Sequence, residues 1–214
     1  MSTPKMDGAQ ALIKTLGDLG IEYVFGYSGG AALPIFDALE TVKTNMKFIL
    51  VRHEQGAVHM ADGYARATGK PAVVLVTSGP GAGNTVTGIM TAQMDSVPMI
   101  VLCGQTVSWM LGKDAFQEAD IFGITIPVVK HNYLCKDTNA LPRIAREAYH
   151  IATTGRPGPV LIDVPKDISQ GPFTGDMNAT FDLPGYHPET AELIDETAAK
   201  KAADLISKAK RPVI

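Results

Sequence analysis

Cysteine is scarce in these 214 residues: Cys103 and Cys135 are the only two, and no CxxC spacing links them. That excludes a thiolate zinc site and a disulfide framework, and it suits a reducing cytoplasm. Excess charge of either sign is also lacking. Nineteen Lys and Arg stand against 22 Asp and Glu, for a net charge of -3, with no run of like charge. A nucleic-acid surface needs a concentrated basic face, so a nucleic-acid partner is not expected. No stretch reaches the roughly 18 uninterrupted apolar residues of a membrane span. The opening residues, Met1 to Gly8, contain no apolar core of a secretory signal. Internal repeats and low-complexity tracts are absent as well. What remains is 45% hydrophobic and 19% charged, the texture of a globular chain.

The apolar residues fall into alternating helical and extended segments. Leu12, Ile13, Leu16 and Leu19 recur at helical spacing, and Gly20 follows as a stop signal. Strands are expected over 22 to 26, 48 to 51, 72 to 76, 99 to 103 and 159 to 164. Helices are expected over 31 to 41, 54 to 68, 82 to 94 and 138 to 153. The runs at 72 to 76 (Ala-Val-Val-Leu-Val) and 99 to 103 (Met-Ile-Val-Leu-Cys) show no polar alternation, as befits strands covered on both faces. The spacing predicts an α/β fold, a doubly wound parallel sheet with helices on both faces. In such sheets ligands sit beyond the carboxyl ends of the strands. The loops of interest are therefore 26 to 30, 52 to 56, 78 to 83 and 165 to 167. One domain is expected over 1–169. Gly171, Pro172, Gly175, Pro184, Gly185 and Pro188 mark 170–189 as a linker. Residues 190–214 look like the start of a further, truncated domain. It would open with an amphipathic helix over 190 to 208, with Leu193, Ile194, Ala198, Ala202, Leu205 and Ile206 on one side. A strand would begin at Arg211-Pro-Val-Ile214, so the chain reads as a fragment.

Several strings invite a chemical reading, each beside a plainer one. Gly26-Tyr-Ser-Gly-Gly30 matches the GxSxG elbow, which would make Ser28 a hydrolase nucleophile. It follows the first strand, however, and no oxyanion segment precedes it, so a glycine turn that lets backbone approach a ligand is favoured. Ser78-Gly-Pro-Gly-Ala-Gly83 follows a strand and opens a helix. The dinucleotide pattern would need glycine at 84, where Asn84 stands, so the loop is either a structural turn or a ligand-facing helix start. His53-Glu54 suggests a zinc protease, but Ala57 occupies the position of the second histidine. His53 and His59 then read as polar packing residues. Glu54, at the mouth of the sheet, is either a first-turn helix residue or a carboxyl that meets a ligand.

Taken together these strings resemble one family. They are Val24 to Ala31, Arg52 to Gly56 with Met60 to Arg66, Thr77 to Asn84, Asp114 to Asp120, and Gly155 to Val160 with Asp163 to Asp167. In order and spacing they are similar to the amino-terminal, pyrimidine-binding thiamine-diphosphate domain of acetolactate synthase large (catalytic) subunits. The likeness covers essentially the whole chain. It implies the thiamine-diphosphate-binding fold, with Glu54 bonding the ring nitrogen of the cofactor's aminopyrimidine. It further implies that Tyr27, Gly29, Gly30, Ala31, Thr77, Pro80, Asn84 and Gln117 line the cofactor, and that Phe116 and Lys166 border the substrate channel. Arg156 would help hold the FAD that many members carry. One departure is Ser28, where the family usually has proline.

The resemblance implies a carboligase. A carboxyl on the pyrimidine favours the imino tautomer, whose exocyclic nitrogen takes the thiazolium proton. Pyruvate is then decarboxylated and its two-carbon unit is joined to a second 2-keto acid, in branched-chain amino acid biosynthesis or an acetoin pathway. The family grips magnesium and the diphosphate through a GDG motif, which is absent here. The metal would thus belong to the missing carboxyl-terminal domain, no residue of this chain would ligate it, and the chain alone would be inactive. A homodimer or tetramer, and a small regulatory subunit, are the partners implied. The alternatives are another thiamine-diphosphate decarboxylase, oxidase or acetyltransferase, a non-catalytic module, or the serine hydrolase.

Overall fold

Valine- and isoleucine-rich runs build the centre of the molecule, and their neighbours in sequence supply the covering helices. A computed structural model of the chain describes residues 6–186 and 195–213. In chain order the elements are α1 Gly8–Asp18, β1 Tyr23–Gly26, α2 Leu33–Thr41, β2 Lys47–Leu50, α3 Glu54–Thr68 and β3 Ala72–Val76. There follow α4 Pro80–Gly83, α5 Val86–Met94, β4 Met99–Gln105, α6 Ile121–Thr125, β5 His131–Leu134 and α7 Leu141–Thr153. The last are β6 Pro159–Pro165, α8 Lys166–Gln170 and α9 Glu196–Lys208.

The six strands form one parallel sheet in the order β2-β1-β3-β4-β6-β5. Side chains alternate across a strand, so each central strand feeds two cores. Val73, Leu75, Ile100, Leu102, Val160 and Ile162 pack with α1, α2 and α7 through Leu12, Leu16, Ile35, Leu141 and Ile144. Val74, Val76, Val101, Cys103 and Leu161 pack with α3 and α5 through Ala57, Val58, Ala61 and Ile89. Each fully buried Leu or Ile stabilises by about 1.5–3 kcal/mol, and this two-sided burial is what defines a doubly wound sheet. The chain leaves β1 first toward β2 on one side, then crosses to β3 on the other. The switch point therefore lies between the carboxyl ends of β1 and β3.

The helix expected over 82 to 94 is divided in two. Pro80 sets the first turn of α4 and Gly79 precedes it at φ +54. The Thr85 hydroxyl then donates back to the Ala82 carbonyl at 2.6 Å, and α5 begins at Val86. Strand β5 was not expected: its burial follows no alternation, and buried Asn132 is satisfied by the Phe122 carbonyl and the Thr125 hydroxyl. The stretch after α8 is held against the domain. Asp7 bridges Pro172, the Gly8 N–H donates to the Gly171 carbonyl at 3.0 Å, and Phe173 is buried. Helix α9 starts on an Asp195 cap, and Leu205 and Ile206 on it are exposed. Leu193, Ile194 and Ile214 lie outside the described residues. Among the described residues no helix is long and apolar enough to cross a membrane.

Candidate functional site

Three loops meet at the switch point because small residues let them. The loop after β1 and the loop after β3 touch where Gly29 faces Thr77; a Cβ on Gly29 would stand 2.5 Å from the Thr77 methyl. The Ala31 N–H donates to the Thr77 hydroxyl at 3.3 Å across the same contact. Beneath them α3 begins. His53 is its cap, accepting the Gln55 N–H on its ring nitrogen at 3.2 Å, and Glu54 is the first helical residue. Capping thus falls to His53, which the sequence reading treated as a polar packing residue, and the Glu54 carboxyl is left for other work. A negative side chain at this end is favoured by the helix dipole.

Glu54 is half-buried. Its Oε2 accepts from the Asn84 amide at 2.9 Å. Its Oε1 lies 3.4 Å from where a Cβ on Gly81 would be, so the glycine loop of α4 closes over the carboxyl. Thr77, Gly81, Asn84 and Glu54 form one cluster. Pro80 heads α4 and is exposed. Tyr27 is exposed as well and lines a neighbouring depression with Leu50, Val51 and Arg52.

Beside the cluster opens a cleft of about 440 Å³. Gly30 and Ala31 from the loop after β1, Ser78 from the loop after β3, Met110, Phe116 and Gln117 from the loop after β4, and Lys166 of α8 line it. Phe116 is 87% exposed, so its ring stands at the mouth rather than in a core. Gln117 holds φ +55 and Asp114 φ +53, values that side-chain-bearing residues rarely adopt. The Gln117 carbonyl sits where a Cβ on Gly79 would reach within 2.4 Å, so Gly79 permits the loop to lie this close.

The structure thus brings Gly30, Ala31, Phe116, Gln117 and Lys166 to one cleft, and Gly29, Thr77, Asn84 and Glu54 to the cluster beside it. Arg156 is elsewhere. It lies just before β6, at the opposite end of the strands from Glu54. There it donates to the Ser96 hydroxyl at 2.8 Å and to the carbonyls of Gln93 and Met94 at the end of α5. Ser28 is exposed and, among the described residues, hydrogen-bonds no histidine; nor is its φ positive, as a strained elbow would need. Among the described residues no base is hydrogen-bonded to Ser28, as the hydrolase alternative would need.

Sequence reasoning passed over Gln105, Thr106 and Val107, which also line the cleft. The run of β4 continues two residues past Cys103, and following it to Gln105 would have found them. It also passed over Asp163 as a buried acid. Burial pushes that carboxyl up to about 7, against the opposing hydrogen bond from Gln105. Cys103 and Cys135 are buried, and burial raises both thiols, which keeps them protonated and inert. Among the described residues no three His, Cys, Asp or Glu side chains gather as a metal site.

Known proteins with the same sequence pattern are thiamine enzymes. Residues 6–124 match the family described as thiamine pyrophosphate enzyme, N-terminal TPP binding domain. The chain is 49% identical over 218 aligned positions to the acetolactate synthase large subunit of Haemophilus influenzae, covering 98% of this chain and 36% of that protein. It is 51% identical over 207 to the acetolactate synthase large subunit of Lactococcus lactis, covering 97% and 36%. It is 48% identical over 214 to an acetolactate synthase of Mycobacterium leprae, covering 100% and 34%. The chain spans about a third of the length of these relatives. With the family pattern running from α1 into α6, through both glycine loops and Glu54, the chain belongs to the thiamine pyrophosphate enzymes as their N-terminal TPP-binding domain.

Proposed function

We propose that the chain provides the cofactor-activating half of an acetolactate synthase, with Glu54 as the catalytic carboxyl. The observation that carries this is the placement of Glu54: first residue of α3, at the switch point, one oxygen fixed by Asn84 and the other under Gly81. An aminopyrimidine needs one acid beside its ring nitrogen and flat, side-chain-free backbone against its faces. Gly30, with nothing within 4 Å of where a Cβ would stand, offers that backbone, and Gly29 and Gly81 let the loops close on Thr77 beside it, so the donor set fits thiamine diphosphate. When bound, that cofactor supplies a thiazolium carbon that serves as electron sink for decarboxylating a 2-keto acid.

The chain's own residues have four tasks. Glu54 holds or yields a proton at its Oε1, the oxygen that Asn84 leaves free. Tyr27, Gly29, Gly30, Ala31, Thr77, Pro80 and Asn84 hold the ring in register. Gln117 approaches it from the cleft. Phe116 at the mouth and Lys166 in the wall border the path of pyruvate and of the second keto acid, the ammonium attracting their carboxylates. One carboxyl already engaged by Asn84 is a poor magnesium site, so the proposal assigns the metal and the diphosphate to a further domain. Residues 1–169 form the pyrimidine-binding unit, 170–189 a linker and 190–214 the beginning of the next domain. The name large subunit borne by the Haemophilus relative implies a smaller companion; we extend that, and a homodimer or tetramer in the cytoplasm, to this protein. FAD enters only through Arg156, and so from the amino end of the sheet rather than from the Glu54 cleft.

The test is acetolactate formation from pyruvate by the protein that carries this chain, as wild type and as Glu54→Gln. Loss of the proton relay should lower turnover at least about 100-fold. Near-wild-type turnover of the variant would remove Glu54 from the chemistry. Acetaldehyde, or an oxidised two-carbon product in place of acetolactate, would move the protein to the decarboxylases or oxidases of the family.

A further inference from the structure

One buried acid is unused by the chemistry above. Asp163 lies in β6 with 1% of its surface exposed, and its Oδ1 has no hydrogen-bond partner among the described residues. Its Oδ2 accepts from the Gln105 side-chain amide at 3.0 Å. The same amide nitrogen donates to the Ala119 carbonyl at 3.0 Å, and the Gln105 Oε1 accepts the Thr106 N–H at 2.8 Å. One side chain therefore grips residue 106 and residue 119, the two ends of a loop, and is itself anchored on Asp163. That loop supplies Met110, Phe116 and Gln117 to the cleft, and Gln105 lines the cleft too. A second tie lies four residues on. Asp167 accepts from the Ser108 N–H at 2.7 Å and the Ser108 hydroxyl at 2.6 Å. Lys166, between the two aspartates, is a cleft wall residue.

We propose that Asp163 is a positioning residue: through the Gln105 amide it fixes both ends of the 106 to 119 loop, and so sets where Phe116 and Gln117 stand against substrate. This rests on the acetolactate synthase reading for its substrate, but not for its geometry. The groove behind the loop, about 260 Å³, is lined by Asp163 together with Glu118 and Asp120. Among the described residues those two carboxyls, the Cys103 thiol on the adjoining β4 and the Cys135 thiol just past β5 face Asp163; α8, packed against β6, adds Lys166 and Asp167, α7 on the other face of the sheet adds Arg143, Arg146, Glu147 and His150, β5 adds His131 and Tyr133, and α5 and α6 add none. Burial outweighs the Gln105 hydrogen bond, Asp120 adds to it, and no salt bridge among the described residues offsets a negative charge on Asp163, so the neutral acid is the form that the fold favours up to about pH 7. In that form the clamp is intact. Ionisation strengthens the Gln105 hydrogen bond, but the cost of a buried charge exceeds that gain, so the ionised carboxyl draws water under the loop and loosens it.

The loop carries its own reporter, Trp109, the one tryptophan of the chain, 63% exposed. Its emission and its quenching by acrylamide are followed in the chain from about pH 5 to 9. The wild type should show a transition near pH 7, toward greater quenching as pH rises. Asp163→Asn keeps an acceptor for Gln105 without a charge, and should hold the low-pH signal throughout. Asp163→Ala removes the anchor and should show the high-pH signal throughout, with circular dichroism confirming that it is folded. In the acetolactate assay the Ala variant should raise KM for pyruvate about tenfold through Phe116 and weaken thiamine diphosphate through Gln117, and Asn should restore both. A transition in Asp163→Asn like that of the wild type, or an unaltered Trp109 signal in folded Asp163→Ala, would overturn the assignment. If Ala does not fold, the Asn comparison decides alone. Absence of acetolactate from the wild type would defeat the functional reading and leave the Trp109 result standing.

Discussion

The two ends of the parallel sheet are built from the same strands and treat charge in opposite ways. At the amino end the helices finish, and cations close them. Arg156 binds carbonyls at the end of α5, and the Lys130 ammonium binds the carbonyls of Ile151 and Thr154 at the end of α7. Glu22 there accepts from the Tyr64 hydroxyl and pairs with Lys70. Polar groups at this end are matched with one another. At the carboxyl end the helices begin, and one acid set there, Glu54, has an oxygen with no hydrogen bond among the described residues. Loops around it carry φ values of +53 to +55 at Gly79, Asp114 and Gln117, and a phenylalanine stands in solvent. An end whose groups satisfy each other stabilises; an end with a fixed acid, close-set glycines and open backbone is organised for something not part of the chain.

If that division is right, mutations at the two ends should fail differently. Glu54→Gln should lose at least about 100-fold in turnover, while its urea midpoint stays near the wild type. A large drop in stability instead would make Glu54 a helix residue like any other. The next largest effect is expected at Gly79. Alanine there must hold φ +54 and place its methyl 2.4 Å from the Gln117 carbonyl, which is backbone and cannot swing aside. We expect a loss on the order of 3 kcal/mol in urea unfolding, with Gln117 displaced from the cleft. Gly155, near the other end, shares the left-handed backbone at φ +63 but has nothing within 4 Å. Alanine at 155 should cost only about 1 kcal/mol, with activity intact. Equal costs at the two glycines would mean that backbone conformation, not the close approach of two loops, is what both require.

The sheet and the acid were legible in the sequence for a local reason. Ala72–Val76 is apolar at every position and bounded by Pro71 and Thr77, and Glu54 follows a strand by three residues, so position alone put it at the mouth. Resemblance then supplied Asn84, which the structure bonds to Glu54, and Thr77, which it bonds to Ala31 in the loop after β1. What stayed hidden depends on contacts distant in sequence. Strand β5 is four residues, His-Asn-Tyr-Leu, without an apolar run, and it exists because β6 pairs with it. The break between α4 and α5 needs the Thr85 hydroxyl and the Gly79 turn. Asp163 stands in a Val-Leu-Ile-Asp-Val string expected as a strand, but nothing local tells that β4 and β5 flank it on both sides. The grip of Arg156 on α5, more than 60 residues away, has no local signature.

Asp163 gives the third test, since it is a cost carried at the functional end. Its pKa of about 7 in the fold exceeds the ordinary 3.8, so between those values the folded chain binds more protons than the unfolded one. Stability from this group is therefore complete below the ordinary value and falls as pH rises toward 7. Asp163→Asn removes the penalty. It should raise stability on the order of 2 kcal/mol near pH 8, with the gain fading toward about pH 4. Thermal melts across that range would show it. A gain independent of pH would point to packing instead.

The smallest effect separates the ends most directly. Arg156 satisfies carbonyls of Gln93 and Met94 that α5 cannot pair itself, and its positive charge faces the negative end of that helix. Replacement by alanine returns those carbonyls to water rather than burying them, because the site is exposed. The expected cost is thus modest, about 0.5–1 kcal/mol, and greater at low salt than at high salt because the charge is screened. Thiamine diphosphate affinity should not change, since nothing ties Arg156 to Glu54 across the length of the sheet. A fall in that affinity, or in FAD binding without any loss of stability, would show that the amino end is also shaped for a ligand, and that matched charge does not by itself mark a structural surface.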